Sequence, residues 1–194
     1  MNSAIAWLIP LVILAFAGLV LVWRKKIGGR PVPDVLKPGQ ALPEFSAVDE
    51  DGNRLSSVDL RGSPSIILFV RGTWCPFCSR QVADLTKAYK EITDVGAKLI
   101  LITPKPLETT RRVADMFGVQ FDFWLDESLA IAEQLGLLLE SAVPEEQRDA
   151  YGDDTLWPTS LVVDSNGIIR FSELSRFLVD RPNPQKLLNV VRNL

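Results

Sequence analysis

The chain has 194 residues, 47% of them hydrophobic, and a formal net charge of −3, which is ample material for one globular core. Residues 1–30 carry four basic side chains (Arg24, Lys25, Lys26, Arg30) and no acid, leaving 17 basic against 24 acidic on the rest. An acidic body without a basic patch interleaved with aromatics argues against a nucleic-acid partner, and the lack of histidine with only two cysteines argues against structural zinc.

Ala4 to Trp23 contains no charge. As a helix it would be about 30 Å long, the thickness of a bilayer's hydrocarbon core. Trp7 and Trp23 lie near its ends, where aromatic belts sit. The competing reading is a cleaved signal peptide, with Ala15-Phe16-Ala17 as the small-residue site; the missing basic N-region and the continuing apolar run favour an uncleaved anchor. Residues 1–26 are thus expected to form a transmembrane anchor with a basic flank, in contact with anionic headgroups. The positive-inside rule then places the soluble domain on the cytoplasmic side, with the extracytoplasmic face as the alternative. Residues 27–43, with Gly28, Gly29, Pro31, Pro33, Pro38, Gly39 and Pro43, read as a tether.

The domain is expected over 44–194. Asp51-Gly52-Asn53 is a hairpin turn signal between short strands. Ile66 to Val70 is an apolar run that reads as a strand buried on both faces. Arg71, Gly72, Thr73 and Trp74 leave it, and Cys75-Pro76-Phe77-Cys78 follows. Val82, Leu85, Tyr89 and Ile92 then recur at helical spacing. A buried strand thus feeds a C-x-x-C that opens an amphipathic helix, the context of a redox motif. Residues three apart on a helix can close a disulfide with little backbone movement. The unpaired N–H groups and positive dipole of the helix N-terminus stabilise a thiolate. Cys75 is expected to be the exposed nucleophile and Cys78 the buried resolving thiol, with Pro76 tolerated in the first turn.

Lys98 to Thr103 is the next buried strand, residues 108–117 a second helix, Phe121 to Leu125 a strand, and Ser128 to Leu135 a short helix capped by Asp126 or Ser128. Residues 139–156 read as an exposed, irregular insertion. The alternation of strands and helices implies parallel pairing. Pro158 opens the apolar run Thr159 to Val163, Ser165-Asn166-Gly167 turns the chain, and Ile168 to Phe171 returns antiparallel. Asn183-Pro184 reads as an N-cap and first helical position, with Leu187, Leu188, Val190 and Val191 on the helix that follows.

The strand, the Arg-Gly-x-Trp-Cys-Pro-Phe-Cys segment at 71–78 and the Pro-Thr-Ser-Leu-Val-Val-Asp-x-x-Gly hairpin from Pro158 resemble a thioredoxin-fold redoxin. The likeness is to the peroxiredoxin-like branch of the alkyl hydroperoxide reductase/thiol-specific antioxidant family, over roughly 38–194. It implies an α/β fold of the thioredoxin-like kind, a central mixed β-sheet flanked by helices, here with one N-terminal transmembrane helix. It also implies an oxidoreductase with Cys75 attacking, Cys78 resolving, Pro158 as a cis-proline against the pair, and Trp74 covering the site. No cofactor is implied. Partners would be protein thiols or disulfides, or a thioredoxin-type reductant, with peroxides as the alternative substrate.

Two departures matter. True peroxiredoxins carry Thr or Ser three residues before the attacking cysteine, where Gly72 stands, and an Arg near the late strand, where Pro158 stands. Without such donors a developing oxyanion is unsupported, with Arg71 and Thr73 the nearby substitutes. Dithiol exchange needs only the cysteine pair and a docking surface. The sequence therefore favours a membrane-anchored thiol–disulfide oxidoreductase, with a peroxide reductase on the same site second. A redox-protein assembly or binding factor without turnover is third.

Overall fold

A computed structural model describes residues 30–105, 118–119 and 121–194, with residues 16, 18, 112 and 116 besides. Those isolated positions apart, the membrane span expected over 4–23 and the helix expected over 108–117 lie outside the described residues. Among the described residues no helix is long and apolar enough to cross a membrane.

Seven strands form one sheet. In chain order they are β1 (Ser46–Val48), β2 (Arg54–Ser56), β3 (Ser65–Phe69), β4 (Lys98–Thr103), β5 (Asp122–Leu125), then β8 (Thr159–Val163) and β9 (Ile169–Leu174). Two short strands, β6 (Leu138–Leu139) and β7 (Thr155–Leu156), pair separately. The sheet order is β2-β1-β5-β4-β3-β8-β9. β3, β4 and β5 run parallel; β8 is antiparallel to β3, and β9 to β8. The sheet is mixed, with helices on its faces, as a thioredoxin-like fold requires.

Period-2 alternation splits the central strands between two cores. On one face Ile66, Leu68 and Val70 meet Val82, Leu85 and Ile92 of helix α1 (Pro76–Asp94) and Leu187, Leu188 and Val191 of the C-terminal helix α4 (Pro184–Arg192). On the other, Ile67, Phe69, Ile100 and Ile102 meet Trp124 and Ile131. Each such fully buried side chain stabilises the fold by about 1.5–3 kcal/mol. The crossover from β3 through α1 to β4 places the start of α1 at the C-terminal end of the central strand. The C-x-x-C is positioned there.

Local expectations hold at several ends. Asp49 accepts hydrogen bonds from Asp51 N and Asn53 N, closing the β1–β2 hairpin. Asn183 accepts from Gln185 N at 2.8 Å, capping α4. Asp126 caps the short helix α2 (Ala130–Gln134), accepting from Ile131 N and Ala132 N at 3.0 and 2.9 Å, and the single-turn helix α3 (Arg148–Tyr151) comes next in the chain before α4.

The segment expected as a tether behaves differently where it is described. Gly39 N donates to Ile169 O, Leu42 N to Gly167 O, and Ile169 N returns a bond to Gln40 O. Leu36 is fully buried in the second core. Residues 30–43 therefore pack on the domain: their prolines and glycines shape a bound extended segment. Leu36→Ala is expected to lower stability by about 2–5 kcal/mol, read as a lower urea midpoint at unchanged slope. An unchanged midpoint would return the segment to a loose tether.

Candidate active site

The chain leaves β3 with Val70 N still bonded to Ile102 O, then turns at Gly72, whose φ is 129°. A Cβ there would also stand 2.6 Å from Tyr151 Cε1, so glycine is required twice over. Cys75 is the N-cap of α1: its N donates to Gly72 O, and its carbonyl accepts from Cys78 N and Ser79 N at 3.0 and 3.1 Å. Pro76 fills the first helical position, where no N–H is needed.

This geometry brings the two Sγ atoms to 2.8 Å, with the Cys78 thiol donating to Cys75. The two are not bonded to each other, and both are buried. Cys75 is only 2% exposed. That corrects the expectation of an exposed nucleophile, and the reason lies far along the chain. The Arg181 guanidinium closes on the pair, with Nη2 3.2 Å from Cys78 Sγ and 3.8 Å from Cys75 Sγ.

The two thiols are driven apart electrostatically. The Cys75 pKa is lowered to about 6. The hydrogen bond from the Cys78 thiol contributes most; burial opposes it; the Cys78 backbone N–H, Arg181 and Arg71 add to the lowering. Cys78 is pushed up by the hydrogen bond it gives to Cys75, by burial and by the thiolate beside it. Cys75 therefore has the more acidic thiol of the two, and Cys78 the less acidic one.

Arg181 is the site residue that sequence reading missed. It lies in the irregular stretch between β9 and α4, where neither periodicity nor motif marks it. Its Nη1 donates to Ser175 Oγ, Leu178 O and Asp180 O at 3.1, 3.2 and 2.7 Å. The Asp180 carboxylate in turn accepts from Ser175 Oγ, Arg176 N and Phe177 N. Leu178 holds a left-handed conformation, φ 62°, that few non-glycine residues adopt. The loop is built to aim one guanidinium.

Arg71 and Thr73 are spoken for. Arg71 is buried, donates from Nη2 to Ala142 O at 2.6 Å and stacks 4.3 Å from the Trp74 ring centroid. Burial, opposed by the two cysteines, lowers its pKa. Thr73 Oγ1 is 2.9 Å from Tyr151 OH, and Thr73 N donates to that oxygen at 3.4 Å. Tyr151 also meets Trp74 edge-on at 6.3 Å. These contacts correct the reading of 139–156 as an exposed, irregular insertion: Ala142 and Tyr151 fold back onto the cysteine loop, and Val143 is buried. The polar composition of the stretch hid the few side chains that turn inward.

Pro158 is buried one residue before Thr159, the β8 partner of Phe69, so it lies at the same end of the sheet as the cysteines. No peptide bond among the described residues is cis. The cis-proline that the resemblance implied is therefore corrected to a trans one. A trans link carries the chain straight from β7 into β8: Trp157 N donates to Leu137 O, Trp157 Nε1 to Ser175 O, and Pro158 O accepts from Ser175 N.

The profile of the AhpC/TSA family matches residues 38–172. Peroxiredoxin Bcp of Escherichia coli strain K12 is 25% identical over 134 residues, 69% of this chain and 83% of that protein. The thiol-disulfide oxidoreductase ResA of Halalkalibacterium halodurans is 26% identical over 134 residues, 69% of this chain and 66% of that protein. Among solved structures, peroxidoxin BcpB of Mycobacterium tuberculosis superposes with a TM-score of 0.65 at 18% identity, over 82% of this chain and 98% of that one, a likeness of fold. With its mixed sheet, its C-x-x-C at a helix start and a family profile matched over most of its length, the chain belongs to the AhpC/TSA family, as a thioredoxin-fold oxidoreductase acting on thiol or peroxide groups.

Proposed function

We propose that the Cys75–Cys78 dithiol reduces a hydroperoxide and is returned to the dithiol by an external dithiol of the thioredoxin type. The observation that carries this reading is the nearly closed site: a thiolate 2% exposed, with the Arg181 guanidinium against both sulfurs. A small oxidant can reach such a sulfur more readily than a partner protein's disulfide. The sequence argument against peroxide was the want of donors at positions 72 and 158, and Arg181 supplies a cationic donor from elsewhere. In the cycle, Cys75 attacks the O–O bond, releasing an alcohol or water and leaving a sulfenic acid. Cys78 then displaces the hydroxyl as water, giving the Cys75–Cys78 disulfide. The external dithiol is oxidised as it restores both thiols.

The second reading is exchange with a protein disulfide. It is favoured by a groove of about 350 Å³ beside the pair, lined by Phe77, Arg80, Asp84, Val179, Pro182 and Pro184. The charge-free stretch 4–23 supports either activity being held at a membrane surface through an N-terminal span. The basic flank supports a cytoplasmic domain.

The test compares oxidation of the reduced full chain by hydrogen peroxide and by a peptide disulfide. Oxidation by peroxide orders of magnitude faster than that of free cysteine is the expected result. A peroxide rate no greater than free cysteine's, with rapid reaction at the peptide disulfide, would transfer the assignment to disulfide exchange.

A further inference from the structure

The cysteine loop holds a buried donor that no described residue uses. Trp74 Nε1 meets no acceptor among the described residues. Leaving a buried N–H unpaired is costly, and such groups in native proteins call for a ligand, a water or a function. The atom lies 3.1 Å from where a Cβ on Gly72 would stand, so it occupies space that the glycine leaves open. Trp74 directly precedes Cys75 and packs on the core cluster that contains both cysteines.

The ring is held from two directions. The Arg71 guanidinium stacks on it and is itself anchored to Ala142 O. The Tyr151 ring meets it edge-on and is anchored to Thr73. Arg71 Nε and Arg181 Nε are also buried without an acceptor among the described residues. Among the described residues, three N–H donors without an acceptor thus belong to side chains near the cysteine pair. Donor atoms left without an acceptor suit a ligand that brings oxygen lone pairs.

We propose that Trp74 Nε1–H is a catalytic donor to the peroxide oxygen, with Arg71 the positioning residue that fixes its ring. The inference rests on the peroxide reading above. Cys75 Sγ attacks one peroxide oxygen; the S–O bond forms as the O–O bond breaks. The departing alkoxide takes a proton from water, and Nε1 keeps its own proton throughout, stabilising charge on oxygen by a hydrogen bond.

Trp74→Phe in the full chain keeps a ring for both neighbours and removes the N–H. The rate of Cys75 oxidation by hydrogen peroxide is expected to fall roughly 10²-fold. Alkylation of Cys75 by iodoacetamide, which reads the thiolate, is expected to stay within about twofold. Equal oxidation rates in variant and wild type overturn the proposal. A parallel loss of alkylation also overturns it, by marking a packing role. A wild-type chain oxidised no faster than free cysteine overturns the peroxide reading itself, which separates the two failures. Should the variant not fold, the ¹⁵N-labelled indole of Trp74 in a Cys78→Ser chain gives the answer. Conversion of Cys75 to its sulfenic acid is expected to move the Nε1–H proton signal downfield, and an unmoved signal overturns the proposal.

Discussion

Cys75→Ser is expected to reduce oxidation of the chain to background with every oxidant, whereas Cys78→Ser halts the cycle after one event. The asymmetry follows from the site's geometry. Only Cys75 carries a lowered pKa, to about 6, and only Cys78 stands close enough to resolve what forms on it. The two sulfurs lie within hydrogen-bond reach of each other, so the wild-type chain should pass directly to the intramolecular disulfide. Cys78→Ser should instead accumulate a sulfenic acid with peroxide, or a mixed disulfide with a partner disulfide, whose second sulfur leaves as a thiolate; each is visible as an added mass on Cys75. Because the Cys78 thiol is the largest contributor to the low Cys75 pKa, Cys78→Ala should raise the alkylation midpoint of Cys75 clearly, and Cys78→Ser less, since a hydroxyl can still donate. Equal alkylation rates for Cys75 and Cys78 in the wild type would overturn this division of roles.

What the sequence disclosed was local. Ile66 to Val70 reads as a buried strand because five apolar residues in a row leave few alternatives, and the spacing of Val82, Leu85 and Ile92 marks one helix face. Asn183-Pro184 and Asp51-Gly52-Asn53 announce a helix start and a turn through their own backbone chemistry. What the sequence concealed was assembled over distance. Arg181 meets Cys78 across 103 positions, and Thr73 meets Tyr151 across 78. Neither contact leaves a periodic trace, because each depends on how a loop folds back. Leu36 sits among prolines and glycines that signal irregular backbone, yet irregular backbone can still be pinned to a sheet edge through Gly39, Gln40 and Leu42. Pro158 shows the converse error: a motif match carried a conformation with it, and the strand connection around it uses the trans form.

Arg181→Met is expected to make the couple more reducing, the dithiol less acidic and the first oxidation slower. Methionine keeps much of the stem's packing and removes the charge. In the dithiol form Arg181 and Arg71 face one thiolate; in the disulfide they face none. Arg181 therefore favours the reduced state, and its loss should lower the reduction potential by about 20–30 mV, up to about tenfold in the exchange equilibrium. The Cys75 pKa should rise, with the hydrogen bond from Cys78 still holding it below an ordinary thiol's. The pH dependence fixes the sign. Well below pH 6 both proteins carry a thiol at Cys75, so their rates converge; between the two midpoints the wild type is the thiolate and the variant lags most. Stability of the reduced chain follows the same linkage. A thiol lowered on folding stabilises the chain fully above its unfolded value, about 8.5. That contribution is lost as the pH falls through about 6, and Arg181→Met should shrink it. Alkylation rates across about pH 5 to 9 and equilibration with a glutathione buffer measure both effects. An unchanged midpoint together with an unchanged potential would mean that the guanidinium beside the sulfurs does not act on them, and the loop from Ser175 to Asp180 would lose the role given to it here.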